Sequence, residues 1–202
     1  EVTGATMPDE GREAFEEQAW TSARLITQDR YEFAYGRVEA RILLPEGRGL
    51  WPAFWMLGAD FPETTWPVCG EIDIMENFAR STTEVAGTIH GPGYSGGAAF
   101  GGKYTFPEGE DITGFHTYRI DWDPDHIAWY VDDVLYHTAH PGDVEGPWVL
   151  DGPFFMLLNL AVGGNPVPAP DESTPDENQM VVDWVRVYER RQPLDDPGAE
   201  EP

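Results

Sequence analysis

Residues 70–78 read GEIDIMENF and set three carboxylates, Glu71, Asp73 and Glu76, at intervals of two and then three. In a regular strand, side chains two apart share a face, so Glu71 and Asp73 agree while Glu76 points the other way. One extra residue in a β-bulge, most simply around Ile74-Met75, restores the parity and lines all three acids along one face. Bulges of this kind concentrate beside active sites.

Working outward, Val38, Ala40, Ile42 and Leu44 alternate with Arg37, Glu39, Arg41 and Leu43, so residues 37–44 are predicted to form a strand with one apolar face. Residues 51–57, 71–78, 85–90, 115–122 and 180–189 read similarly. The run Ile127–His137 carries Asp132-Asp133 at its centre, as a tight hairpin would. Phe154–Val162 is almost continuously apolar, which predicts a strand covered on both sides, with a buried helix as the alternative. The 22 Gly and 18 Pro punctuate these short runs in the manner of an all-β sandwich. Only Asp9–Gln18 has a helical pattern, and its acidity fits a solvated arm equally well.

The 202 residues suit one domain, and 41% hydrophobic with eight Trp is ample for a core. The organisation expected is an acidic segment over residues 1–20, a sandwich over 21–189 and an acidic, Pro-rich tail over 190–202. A net charge of -25 repels phosphate backbones and anionic lipid surfaces, so neither nucleic acid nor membrane is an expected partner. No stretch approaches the roughly 20 apolar residues of a membrane span, and the opening residues do not read as a leader. Cys69 stands alone, so no internal disulfide forms.

Solvation is the usual fate of Asp and Glu. Here, however, the acids alternate with Ile72, Ile74 and Met75, and their surroundings supply Trp51, Trp55 and Trp66. An acidic and aromatic face suits a sugar-binding cleft, because rings stack on the apolar faces of pyranoses. Two carboxyls facing a glycosidic bond suffice for hydrolysis, one attacking the anomeric carbon and the other protonating the leaving oxygen. Side chains about 7 Å apart along one strand can lean to the roughly 5–5.5 Å of retaining enzymes. Asp73 between them makes a further charge costly and helps keep one carboxyl protonated. No cofactor is expected for this chemistry. The segment GAAFGGK (97–103) has P-loop spacing, but Tyr104 replaces the metal-holding hydroxyl and the glycines read as a mobile loop beside the cleft.

The segments TSARL (21–25), YGRVEARI (35–42), GLWPAFWMLG (49–58), GEIDIMEN (70–77), GTIH (87–90), NLAVGG (159–164) and VDWVRVYE (182–189) together resemble glycoside hydrolase family 16, in particular laminarinase-type endo-β-1,3-glucanases. The Glu-x-Asp-x-x-Glu spacing is similar to the bulged motif of that branch. The resemblance implies a jelly-roll β-sandwich of two antiparallel sheets with a concave substrate groove. Glu71 is then the nucleophile, Glu76 the acid/base and Asp73 their hydrogen-bonding companion. It implies Trp55 and Trp66 as sugar platforms, Arg24 and His90 as polar groove contacts, and Asn159 nearby. Strand parity adds Trp51. Asp183 matches a position near a structural calcium on the family's convex face. Family members usually carry some 60 or more residues before the TSARL segment, so the family's first strands are expected to be absent here. The chain is expected to be a monomer, secreted or extracellular, acting on β-1,3-glucan. A non-catalytic glucan-binding module and a transglycosylase are the alternatives, and the presence of all three motif acids favours an enzyme.

Overall fold

The computed structural model describes residues 20–78 and 81–189; the helical pattern at residues 9–18 lies outside them. Among the described residues twelve strands form: β1 (Arg24–Ile26), β2 (Glu32–Phe33), β3 (Gly36–Leu43), β4 (Leu50–Gly58), β5 (Glu71–Glu76), β6 (Glu84–His90), β7 (Phe100–Thr105), β8 (Phe115–Asp123), β9 (His126–Val131), β10 (Val134–Ala139), β11 (Phe154–Val162) and β12 (Val181–Tyr188). They make two antiparallel sheets. One runs β1-β11-β4-β5-β6-β7 with β2 also on β11, and the other runs β10-β9-β8-β3-β12.

Alternation drives the layering. Val38, Ala40 and Ile42 on β3 point inward and are fully buried, as are Tyr118 and Ile120 on β8 and Ile127 and Trp129 on β9. They meet Phe54, Met56, Ile72, Ile74 and Met75 from the first sheet in one core, while Arg37, Glu39 and Arg41 take the outer face of β3. The Asp132-Asp133 hairpin forms as expected, with both residues at positive φ (48° and 68°), the two-residue turn whose twist matches its strands. Asp132 is also tied back, accepting from the Thr117 N–H at 2.8 Å.

The bulge lies where the spacing placed it. Asp73 pairs with Trp55 and Thr88, and pairing resumes at Met75–Phe54 and Glu76–Ala86, leaving Ile74-Met75 opposite Gly87 on β6. Both bulge side chains drop into the core, which anchors the parity shift by burial.

Two expectations need correction. β11 is covered on both sides only over Phe154–Leu157, and residues 158–162 are half-buried. Its outer face there is roofed by a separate cluster in which Phe155 and Leu157 pack with Leu57, Cys69, Trp55 and Phe61. Beyond that roof the face opens at Asn159. The glycine-rich stretch is not a loop throughout. Phe100–Thr105 is strand β7, paired along β6. Its glycines serve close packing, since a Cβ at Gly102 would sit 2.6 Å from His137 Cγ and one at Gly101 would overlap the Gly87 carbonyl.

Candidate active site

The strand registers assemble the site as cross-strand rows. Glu71 stands between Leu57 and His90, Asp73 between Trp55 and Thr88, and Glu76 between Ala53 and Ala86. Across β4, Leu157 continues the Asp73 row, and Asn159 with Arg24 continues the Glu76 row. The three acids therefore share one face because the bulge restores their parity. Glu76 is itself buried between Ala53 and Ala86.

Indole N–H groups clamp both glutamates. Trp66, on the loop between β4 and β5, donates to Glu71 Oε2 at 2.7 Å, and Trp51 donates to Glu76 Oε1 at 2.9 Å. Trp66 remains 43% exposed, so its ring is free to receive a ligand. Trp55 donates to Asn159 Oδ1 at 2.7 Å, and the Arg24 guanidinium lies 5.5 Å from the Trp55 ring centre. Arg24, Trp55, Trp66 and Glu71, with Gln28 and Phe61, line a cleft of about 350 Å³. All nine groove residues expected from the sequence thus gather on this sheet or its covering loop.

Asp73 is held from two sides. Thr88 Oγ1 donates to its Oδ2 at 2.5 Å, and His90 Nε2 lies 3.0 Å from the same oxygen and 3.6 Å from Glu71 Oε1. The Gly96 N–H donates to His90 Nδ1 at 3.1 Å. A ring nitrogen that accepts carries no proton, so the hydrogen of this imidazole sits on Nε2 and points at the carboxylates. Glu71, Asp73 and His90 bring ligand atoms within 4.8 Å of one another. A metal-bound imidazole, however, donates its second N–H to an acceptor, and here Nδ1 faces a donor; the trio is built for hydrogen bonding. Thr88 was missed in the sequence, although strand parity with His90 in GTIH places it on the same face.

Asp183 stands apart on β12, about half exposed, and accepts from Arg41 Nη1 at 2.8 Å. Its charge is already met by a guanidinium, and among the described residues no group of three ligating side chains forms around it. This donor set does not fit a calcium ion.

Burial, followed by the charge of Asp73, pushes the carboxyls of Glu71 and Glu76 well above the ordinary range; the Trp66 and Trp51 N–H groups act against that push. Both rise to about 9 from an ordinary value of 4.5. A carboxyl whose folded pKa is raised binds more protons folded than unfolded, so its contribution to stability falls as pH climbs between those two values. Glu76→Gln keeps an acceptor for Trp51 but has no charge to bury. It should melt about 3 °C or more above the parent at pH 8, the gap closing near pH 4. A gap equal at both pH values would remove buried charge as its cause.

Comparison with known proteins gives a consistent picture. Residues 5–186 match the sequence profile of Glycosyl hydrolases family 16. The "Beta-glucanase" of Rhodothermus marinus is 40% identical over 201 residues, covering 93% of this chain and 69% of that protein. Among solved structures, the laminarinase catalytic domain of Thermotoga maritima MSB8 superposes with a TM-score of 0.81 at 47% identity, covering 84% of this chain and 69% of that one. The endo-beta-1,3-glucanase of Pyrococcus furiosus gives 0.79 at 51% identity, covering 82% and 65%. The chain thus spans about two thirds of the length of these proteins, and shares with the solved ones the jelly-roll sandwich of two antiparallel sheets.

Proposed function

Because the chain belongs to Glycosyl hydrolases family 16, we propose that it cleaves internal β-1,3-glucosidic bonds of laminarin-like β-glucans with retention of configuration. The observation that carries this reading is the bulge-restored row of Glu71, Asp73 and Glu76, each glutamate clamped by an indole N–H. In the working state Glu71 is ionised and Glu76 protonated. Burial and the charge of Asp73 push both carboxyls up, and an indole N–H stabilises the anion on each, so the pair retains a proton, which the assigned roles place on Glu76.

A glucosyl unit stacks on Trp66 with its anomeric carbon over Glu71. The Glu71 carboxylate attacks that carbon as the glycosidic C–O bond breaks, and Glu76 passes its proton to the departing oxygen. A water then enters on the opposite face. Glu76 takes its proton as the water oxygen bonds to the anomeric carbon and the ester to Glu71 breaks. Two inversions leave the product in the β configuration, and both side chains return to their starting protonation states. Asp73, fixed by Thr88 and His90, orients Glu71 and sets the charge that holds Glu76 protonated.

The similarity to laminarinases and endo-beta-1,3-glucanases supports the β-1,3 linkage as substrate. Reducing-sugar release should be faster on laminarin than on lichenan. A preference of tenfold or more for lichenan or for a galactan would contradict the linkage while leaving the carboxylate chemistry standing. Monomeric, extracellular action on a polymer belongs to the same proposal.

A further inference from the structure

One contact joins the reacting strand to the opposite sheet. Trp129, on β9 and fully buried, donates its indole N–H to the main-chain oxygen of Asp73 at 2.9 Å. Asp73 is the last residue in register before the bulge. The bond therefore fixes the strand where its ladder is interrupted, from beneath the sheet that carries the acids. A buried carbonyl at such a point needs a partner, and a bulge locally weakens the ladder that would otherwise supply one.

The path of the indole is cleared by a glycine. Gly87 faces the bulge on β6, and a Cβ there would overlap Trp129 Cδ1 and lie 2.6 Å from Nε1. The ring also packs against His137, with centroids 5.4 Å apart. Glu76 lies three residues beyond Asp73, on the other side of the bulge, so the rotation of the strand at Asp73 sets where its carboxyl stands relative to Glu71.

We propose that Trp129, seated through Gly87, is a positioning residue for the catalytic pair: a post from the opposite sheet that holds the bulge in the geometry at which Glu71 and Glu76 face one bond. This rests on the assignment of those two glutamates made above. The indole touches no sugar, so its effect passes entirely through the strand.

Trp129→Phe keeps an aromatic ring beside His137 but removes the donor together with part of the ring's volume, so its stability cost is compared with that of a core truncation. On laminarin, kcat should fall about tenfold or more, as a displaced reacting group dictates, while KM stays within about twofold. The loss should be smaller on a dinitrophenyl β-1,3-gluco-oligosaccharide, whose leaving group needs no proton from Glu76, and the alkaline limb of the pH–rate profile should move. Ile120→Val, a core truncation on β8 of the same opposite sheet, should lower stability without changing the ratio between the two substrates. Should Trp129→Phe fold poorly, proton exchange at the Trp129 indole of the parent chain remains decisive. It should be slow, comparable to the most protected amides of β5.

A rapidly exchanging indole proton, or a well-folded Trp129→Phe variant with parental kcat on both substrates, would overturn the post and leave the enzyme intact. Inactivity of the parent chain on both substrates would instead overturn the functional reading, and with it the catalytic part of this inference.

Discussion

Glu71→Ala should hydrolyse laminarin more slowly by a factor on the order of 10⁴ or more, and it should be equally crippled toward an activated aryl glycoside. Both results follow from the place of Glu71 in the first step: without its carboxylate no covalent intermediate forms, however good the leaving group. The fold should tolerate the change, because the side chain faces the cleft beside the exposed Trp66 and the core side of β5 is filled by Ile72, Ile74 and Met75. Removing a buried carboxyl whose ionisation is opposed by burial and by Asp73 also removes a source of instability at neutral pH. Parental activity on either substrate would take Glu71 out of the chemistry.

Glu76→Ala should separate the two substrates. On laminarin the leaving group is a sugar hydroxyl that needs the proton of Glu76, so the loss should lie in the upper part of the roughly 10²–10⁴ range of general acid catalysis. On a dinitrophenyl β-1,3-gluco-oligosaccharide the intermediate should still form at a rate near the parent's. Its breakdown should become limiting, so that a burst of dinitrophenol precedes slow turnover. The alkaline limb of the parent's pH–rate profile on laminarin should be absent from the variant's residual activity, since the group that must remain protonated is gone. Equal losses on the two substrates would assign Glu76 a role other than proton transfer.

Much of this site was legible because it depends on parity. The intervals of two and three in GEIDIMENF can serve one face only through a bulge, and the hydrophobicity of Ile74 and Met75 tells which residues must be swallowed by the core. Strand β3 was legible for the same reason, its inward residues being Val38, Ala40 and Ile42 without exception. The Asp132-Asp133 turn was readable from two residues that tolerate positive φ between apolar runs.

What local pattern could not supply were contacts set by distant segments. Phe154–Val162 is apolar apart from Asn159, yet only its first half is roofed on the outer side, and the roof comes from Cys69, Phe61 and Leu57, some 90 residues earlier. The hydrogen bond from Trp55 to Asn159 spans 104 residues, and Arg41 reaches Asp183 across 142. The last of these gives Asp183 a guanidinium partner, something the sequence position alone could not reveal. Glycines in Phe100–Thr105 suggested a loop because their usual role is conformational; in β7 they answer the nearness of Thr88 and His137 instead. Trp129 carried no signal at all, since a buried tryptophan in a sandwich core gives no hint of which carbonyl it meets.

The roles of the two glutamates, and with them the retaining mechanism, are tested most directly by the configuration of the glycosyl azide that each variant makes from the same aryl β-glycoside, read by NMR of the anomeric proton. In Glu76→Ala, azide should intercept the intermediate on Glu71 and give the β-azide. In Glu71→Ala, azide should occupy the vacated carboxylate position, attack from the opposite face and give the α-azide. An α-azide from Glu76→Ala together with a β-azide from Glu71→Ala would reverse the assignment, and unimpaired hydrolysis by both variants would remove the bulged strand from the chemistry.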